Sequence, residues 1–287
     1  MKAIYKRELK SYFSSMVGYA IIGFFLLVVG YYFWGFNLNG GNSSVGVTLS
    51  NIMLVYTVIL PILTMRLLAE EQKQKTDQLL FSSPVSIWGI VTGKYLAAVT
   101  IFTVPFIVIC TMPIVLNSYG NVDFVENYAT IFAFWLLGDV FLAIGLMISS
   151  FTENQIVAAV VSFAIYITLF LISSISSILP STAMPSMIGL MFLVLLVGIF
   201  LFVYIKNIII AGVVVFIGEA ALVVVYIIKS SLFESALSNV ISGISFMSRY
   251  TRFASGNFDL GSIFYYVTFI ILFLYLTVQS IQKRRWS

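Results

Sequence analysis

The chain consists largely of long, unbroken runs of apolar residues, many of them as long as the ~20 residues with which an α-helix crosses a bilayer. Because backbone groups in lipid must bond to one another, such runs predict transmembrane helices. Only 9% of the 287 residues are charged, against about 25% in soluble domains, so the chain lacks the polar surface of a soluble fold. We therefore expect an all-α, polytopic membrane protein. A β-barrel would show alternating segments of about ten residues.

The apolar runs divide a single transmembrane domain, residues 17–281, into about eight spans. Their approximate bounds are 17–36, 48–68, 87–116, 127–150, 154–178, 186–205, 207–229 and 261–281. The third span contains Pro105 and Pro113, which favour a kink or an early end. Since only Lys206 and Asn207 separate the sixth span from the seventh, six spans remain the alternative.

Lysine and arginine collect on one side of this topology, which the positive-inside rule assigns to the cytoplasm. These residues flank spans or lie in the basic tail 282–287: Lys2, Lys6, Arg7, Lys10, Arg66, Lys73, Lys75, Lys94, Lys206, Lys283, Arg284 and Arg285. Both termini are therefore expected in the cytoplasm. The loop 230–260 is expected on the other side, although it carries Arg249 and Arg252 and follows Lys229. The net charge of +4 is explained by these helix ends and requires no nucleic-acid partner.

The first residues, 1–15, read MKAIYKRELKSYFSS and mix basic with apolar side chains. On a helix, Tyr5, Leu9, Tyr12 and Phe13 fall near one face. This pattern predicts an amphipathic helix that lies at the cytoplasmic membrane surface. A simple topology anchor is the alternative. Within the loop 230–260, apolar residues four apart predict a second short amphipathic helix: Leu232, Ala236, Val240 and Ile244.

The sequence offers little catalytic chemistry. It has no histidine, one cysteine, no phosphate-binding loop and no nucleophile elbow, so we expect neither an enzyme nor a metal site. Two carboxylic acids, Asp139 and Glu219, fall inside apolar runs, where an ionised group is costly. They are candidates for a substrate or proton contact. The alternative for each is a neutral, hydrogen-bonded group or a polar contact between helices.

One compact charged segment, residues 69–86, interrupts the apolar sequence and reads AEEQKQKTDQLLFSSPVS. Its first part is rich in good helix formers, and Ser82, Ser83 and Pro84 provide a stop. The segment therefore predicts a short polar helix that projects from the membrane into the cytoplasm. Such a helix is suited to contact with a soluble partner, and a solvated hairpin is the alternative.

This region resembles a known family. The stretch MRLLAEEQKQKTDQLLFSSPVSIWGIVTGKYLAA is similar to the signature region of ABC-2 type transporter permeases, in which an R..AEE....T..LL..P......GK pattern follows the second span. YKRELKSYFSSMVGYAIIGFFLLVVGYYF resembles the connecting helix and first span of these permeases, and LLGDVFLAIGLMISSFTENQIVAAVVSF their fourth-to-fifth span junction. The C-terminal stretch SFMSRYTRFASGNFDLGSIFYYVTFIILFLYLTVQSIQKRRW is similar to the gliding-motility-associated branch.

The resemblance implies a dimeric permease, with a second copy or a paralogue, that rests on a separate cytoplasmic ATPase subunit holding ATP and Mg²⁺. Residues 69–86 would be the coupling helix, with these interface or hinge residues: Arg66, Glu70, Glu71, Lys73, Thr76, Asp77 and Pro84. The connecting helix would use Lys6, Arg7 and Glu8, and the third span would begin near Gly93 and Lys94. An extracytoplasmic accessory protein would contact the loop 230–260.

The chain departs from the family pattern in two places. Residues 186–229 form two additional apolar runs, and Asp139 stands where a small residue is expected. These departures leave the substrate undefined. From the resemblance, the expected function is the permease subunit of an ATP-driven exporter in a bacterial plasma membrane. Two other functions stay open: an ion-coupled secondary transporter or channel, and a non-transporting scaffold of an envelope complex.

Overall fold

The protein is described by a computed structural model in residues 1–76, 85–205 and 207–286, and within these ranges its regular structure is entirely helical. The α-helices are α1 Lys2–Ser14, α2 Met16–Tyr32, α3 Val45–Thr64, α4 Arg66–Lys73, α5 Ile87–Ile109, α6 Met112–Asn117, α7 Phe124–Ser149, α8 Gln155–Ile178, α9 Ala183–Ile205, α10 Ile208–Ile228, α11 Ala236–Ile244, α12 Phe246–Ala254 and α13 Leu260–Trp286. A π-helical segment, Phe33–Asn39, continues α2, and a 3₁₀ turn spans Ser230–Phe233. The expectation of an all-α, polytopic membrane protein is confirmed.

Six helical stretches among the described residues are long and apolar enough to cross a membrane. They are Met16–Asn39, Val45–Lys73, Ile87–Asn117, Phe124–Ser149, Gln155–Ser176 and Leu260–Arg284. The two additional predicted spans coincide with α9 and α10. Within those two helices the described apolar stretches are shorter, Ala183–Leu196 and Gly212–Ile228. Six spans are therefore found among the described residues, and α9 and α10, of 23 and 21 residues, are the two helices that the predicted count of eight would add.

Helix α7 lies at the centre of the first compact unit, which comprises Met1–Thr168 together with Arg249–Ser287. It packs against α3, α5 and α13, and its apolar residues are buried on nearly every side. Aromatic rings fill the contact between α3, α5 and α7. The Tyr56 ring lies 4.2 Å from that of Phe134 and 5.6 Å from that of Phe102. Packing of helices in lipid depends on such close contacts, because burial of apolar surface contributes little free energy there.

The third span is not one continuous helix. Helix α5 ends at Ile109, and α6 begins at Met112 with Pro113 in its first turn. Pro113 lacks an amide hydrogen and therefore fits the first turn of a helix, where that hydrogen would have no partner within the helix. The third span is thus interrupted at residues 110–111, just before Pro113, and continues to Asn117, whereas Pro105 lies inside α5 without ending it.

Gly145 of α7 allows a close approach of three helices in this unit. A Cβ atom at this position would overlap Thr64 Oγ1 of α3 and Tyr166 Oη of α8. Tyr166 is fully buried and donates a hydrogen bond to the backbone oxygen of Phe141. The glycine therefore lets three helices meet at one point, as small residues commonly do in membranes.

Replacement of Gly145 by alanine is expected to destabilise the protein by about 1–3 kcal/mol, since the added methyl must push Thr64 and Tyr166 aside. The thermal unfolding temperature in detergent measures this effect. Gly23 of α2 is the matched control, because a Cβ atom there meets nothing within 4 Å. We expect G23A to be neutral or slightly stabilising, and equal behaviour of the two variants would contradict the packing role of Gly145.

The second unit, Leu169–Ser248, contains the helical hairpin of α9 and α10 together with α11. Helix α11 rests on α9, where Leu237 packs directly over Gly189. The short helix predicted in the loop 230–260 is present, but it begins at Ala236, and Leu232 lies in the preceding 3₁₀ turn. The helix α12 that follows was not predicted from the apolar spacing.

Candidate functional site

Helix α1 is fixed against two membrane-spanning helices. The Tyr12 hydroxyl donates a hydrogen bond of 2.7 Å to the Leu63 backbone oxygen of α3, and the Tyr5 hydroxyl lies 3.0 Å from Thr100 Oγ1 of α5. Gly93 of α5 faces Ile4, and a Cβ atom there would lie 3.4 Å from Ile4 Cγ2. The predicted amphipathic helix is thus packed onto the start of the third span. Gly93 lies at the point of contact.

Lys94 is the centre of the candidate site. Its side chain is 1% exposed and lies where α1, α4 and α5 meet. The Nζ atom is 2.9 Å from Glu8 Oε1 of α1 and 3.0 Å from Glu71 Oε2 of α4, and it donates a 2.7 Å hydrogen bond to the Leu67 backbone oxygen. One buried ammonium group therefore joins three helices that are far apart in sequence.

Arg7 closes this cluster from the solvent side. It pairs with Glu8 at 2.9 Å and with Glu71, so two carboxylates face two positive groups. Burial by itself would raise the pKa of Glu8, but the charge of Lys94 and hydrogen bonds from Arg7 and Lys94 lower that pKa below its ordinary value. The cluster of Arg7, Glu8, Glu71 and Lys94, hereafter the ion-pair cluster, therefore pairs two carboxylates with two basic side chains.

A second pair extends the site along α4. Arg66 Nε lies 3.0 Å from Glu70 Oε2, one turn further on, and its guanidinium stacks 5.1 Å from the centre of the Tyr12 ring. A polar pocket of about 310 Å³ lies between these groups. Its lining residues come from α1, from α4 and the residues that follow it, and from α5: Arg7, Glu8, Ser11, Arg66, Glu70, Glu71, Gln74, Thr76 and Lys94.

Helix α4 ends earlier than the sequence predicts. One helix was expected from Ala69 towards Ser82, but α4 begins at Arg66 and ends at Lys73. Lys75 has a left-handed backbone with φ of 55°, and its amide bonds to Gln72 O while the amide of Thr76 bonds to Glu71 O. These two bonds form the helix stop that glycine usually supplies.

The end of α4 presents charge to solvent. Lys73, Gln74 and Lys75 are exposed, and Thr76 is half-buried. Asp77 and Pro84, also predicted as interface or hinge residues, lie outside the described residues. Lys6 of the predicted connecting helix is exposed on α1. The predicted roles of all these residues in binding a partner stay predictions.

The C-terminal end of α7 holds α4 from the other side. Buried Ser149 Oγ accepts hydrogen bonds from the amides of Leu68 (3.1 Å) and Ala69 (3.0 Å) and donates one to Met65 O (3.1 Å). The Gln72 side chain donates to Ser150 O at 3.1 Å. Sequence reasoning missed Ser149 and Gln72, because a serine at a helix end carries no local mark of a distant partner.

Asp139 and Glu219, the two predicted intramembrane acids, lie in different units. Asp139 is 3% exposed in α7, and its Oδ1 has no hydrogen-bond partner among the described residues. The Tyr95 hydroxyl reaches only its backbone oxygen, at 3.2 Å. Glu219 is half-buried in α10. The functional roles predicted for them stay predictions.

The contacts at α1, α4 and α5 connect these helices to one another. Each carboxylate of the ion-pair cluster has a cationic partner, and no group of three potential metal ligands occurs in the described part of the chain. What the site does have is a polar helix tied to two spans and to α1. Any displacement of α4 must therefore move these neighbours or break buried ion pairs.

Comparison with known families agrees with this architecture. Residues 48–281, most of the chain, match the model of a family described as "ABC-2 family transporter protein". The matched region includes α4, Lys94 and Ser149, although it leaves out α1. A comparison with curated proteins finds no match. The resemblance to ABC-2 permeases is thereby confirmed, while the gliding-motility branch stays a prediction. The chain belongs to the ABC-2 transporter family and is a multi-pass membrane permease component.

Proposed function

We propose that this permease works with a separate cytoplasmic ATPase subunit, which holds ATP and Mg²⁺ and docks on α4 and the segment that follows it. The observation that carries the proposal is the position of Lys94, which links α4 to α1 and α5 in one buried cluster. A helix passes on a movement only when its contacts with neighbouring helices are rigid. Buried ion pairs with several hydrogen bonds are rigid contacts.

The described surface of α4 supports transmission of movement from a docked ATPase to the spans. The exposed Lys73 and Lys75 offer positive charge and flexible stems to a soluble partner, while the buried Leu67, Leu68 and Ala69 hold the same helix to the protein. Glu71 has a 14% exposed side chain and pairs with Arg7 and Lys94. We therefore assign it first to the internal cluster. The basic end of α4 is our choice for the docking contact.

The transport cycle that we propose has two states of the ATPase pair acting on two permease copies. The ATPase pair would bind the α4 region differently before and after its ATP-driven closure. Only such a difference in binding can shift the conformation of the spans. The resulting movement of α3 and α5 would export a substrate across a bacterial plasma membrane, with both termini in the cytoplasm. An accessory protein on the opposite side would contact the loop 230–260.

The proposal is tested by co-purification with the ATPase that is encoded beside this chain. Reversal of the two exposed charges, K73E/K75E, is expected to reduce the bound ATPase at least tenfold, because the docking contact is lost while the ion-pair cluster is intact. The stimulation of ATP hydrolysis by the permease, measured in lipid nanodiscs, should fall by the same factor. The matched control, K2E/K10E, reverses two exposed charges on α1 and should bind the ATPase as wild type does.

A second experiment separates docking from transmission. Alanine at Glu70 and Glu71 is expected to retain the ATPase but to lose coupling of ATP hydrolysis to transport, since the contacts removed are internal. Failure of any ATPase to bind the wild-type chain would contradict the proposal at its centre. Binding without stimulated ATP turnover would instead favour a scaffold.

One observation favours an ion-coupled transporter as the second candidate. Asp139 is buried in a span with an unpartnered carboxyl oxygen, as a group that binds a proton or cation in another state would be. This function requires transport without an ATPase and loss of that transport in D139N. We expect D139N to retain ATP-driven activity, and transport that persists in ATPase-free proteoliposomes would select the second candidate.

A further inference from the structure

The corner between α12 and α13 carries an arginine pair at the side of the membrane opposite the ion-pair cluster. Helix α12 buries Tyr250 and Phe253 against α7, where the Tyr250 ring lies 5.7 Å from that of Phe134 and Thr130 donates a 3.1 Å hydrogen bond to Phe253 O. This packing fixes the helix. Arg249 and Arg252, three residues apart, then lie side by side on a neighbouring face.

Two guanidinium groups share the Asp259 carboxylate at this corner, and the Glu126 carboxylate of α7 lies near Gly256. Arg252 Nη1 lies 3.2 Å and Arg249 Nη1 4.0 Å from the same oxygen of Asp259. That carboxylate also accepts hydrogen bonds from the Gly261 amide and the Ser262 hydroxyl at the start of α13. A single carboxylate therefore serves two guanidinium groups, and the N-terminal end of a helix adds further positive potential.

Arg249 is held in place by an aromatic ring, and one of its N–H groups is unused within the described part of the chain. Its guanidinium stacks over the Tyr265 ring at 4.8 Å, which fixes the plane of the group. Its Nε is buried and has no hydrogen-bond partner among the described residues. A guanidinium has five N–H donors in a rigid fork that fits a phosphate, so an oriented, underused arginine is suited to an anionic oxygen cluster.

Large, exposed apolar side chains lie in the same stretch of chain as Asp259 and Tyr265, which contact the arginines. Phe258, Leu260 and Phe264 are 58%, 60% and 72% exposed, and the last two belong to the first turns of the membrane-spanning α13. The other end of α13 carries Arg284, which pairs with Glu153 beyond the end of α7 on the side of α4. The corner therefore lies at the boundary between lipid and water, with cations beside an apolar surface.

We propose that this corner binds the anionic phosphodiester headgroup of a phospholipid in the leaflet where α13 begins. Arg249 and Arg252 bind the phosphate oxygens, and Phe258, Leu260 and Phe264 contact the acyl chains. The combination of charge and exposed apolar surface selects a lipid over a free anion, which would use the arginines alone. The proposal depends on insertion in a membrane and not on the ATPase.

Native mass spectrometry of the purified, delipidated protein tests the proposal. The protein is offered equimolar phosphatidylglycerol and phosphatidylethanolamine with identical acyl chains. Wild type is expected to retain at least five times as much phosphatidylglycerol as phosphatidylethanolamine. R249Q/R252Q should lose that preference, and R252Q, which changes a half-exposed residue and preserves the fold, should lose part of it. The control K73Q/K75Q removes two charges at the opposite membrane side and should keep it.

Two results would overturn the proposal. Equal retention of phosphatidylglycerol by wild type and R249Q/R252Q would show that the arginines do not bind a lipid and would leave them for a protein partner. Displacement of the lipid by millimolar inorganic phosphate or glycerol phosphate would identify a site for soluble anions instead. Retention of the lipid in the presence of both anions, with loss in R249Q/R252Q, supports the proposal.

Discussion

Replacement of Lys94 by alanine is expected to destabilise the protein by about 3–5 kcal/mol, the usual cost of removing one partner from a buried ion pair. The Glu8 and Glu71 carboxylates would face each other with only Arg7 between them, and the Leu67 oxygen would lose its donor. The apparent unfolding temperature in detergent should fall by roughly 5–15 °C. Protein that assembles should bind the ATPase but hydrolyse ATP without coupled transport.

Two comparisons identify the cause of the Lys94 effect. K73A removes an exposed lysine from α4 and should change stability by no more than about 0.5 kcal/mol. The triple variant K94M/E8Q/E71Q removes the lysine and both carboxylates, and it should recover much of the lost stability because no uncompensated charge remains buried. A triple variant as unstable as K94A would show that packing, and not charge, explains the loss.

The sequence was sufficient for the membrane-spanning part of the fold. Hydrocarbon thickness sets the length of a span, so apolar runs alone placed the six full-length stretches to within a few residues. The helix at residues 1–15 followed from its amphipathic spacing in the same way. These features are local, because each can be read from one continuous piece of chain. The interruption of the third span lies just before Pro113, one of the two prolines at which the sequence favours a kink or an end.

The candidate site was predicted only in part, because its contacts join distant segments. Family resemblance selected Arg7, Glu8, Glu71 and Lys94, but nothing in the sequence showed that one lysine bonds to two of these carboxylates, 86 and 23 positions away. The stop at Lys75 was missed because a lysine rarely takes the left-handed backbone. Pairing and helix ends of this kind are decided by tertiary packing.

Replacement of Ser149 by alanine is expected to release α4 from α7. The hydroxyl is the hydrogen-bond partner of the Leu68 and Ala69 amides and of the Met65 oxygen, all at the junction between α3 and α4. Each buried group left without a partner costs on the order of 1–3 kcal/mol, so the loss for the three groups together is expected to be at least about 3 kcal/mol. The peptide that contains α4 should then exchange its amide hydrogens at least tenfold faster.

The control for Ser149 is an exposed serine with a purely local bond. Ser118 donates to Val115 O within its own turn, so S118A should leave both stability and amide exchange unchanged. If S149A slows ATP-coupled transport while the ATPase stays bound, then the link from α7 to α4 is part of the transmission. If instead exchange in α4 is the same in S149A and wild type, the ion-pair cluster alone must hold that helix. In that case K94A, and not S149A, would be the variant that frees α4.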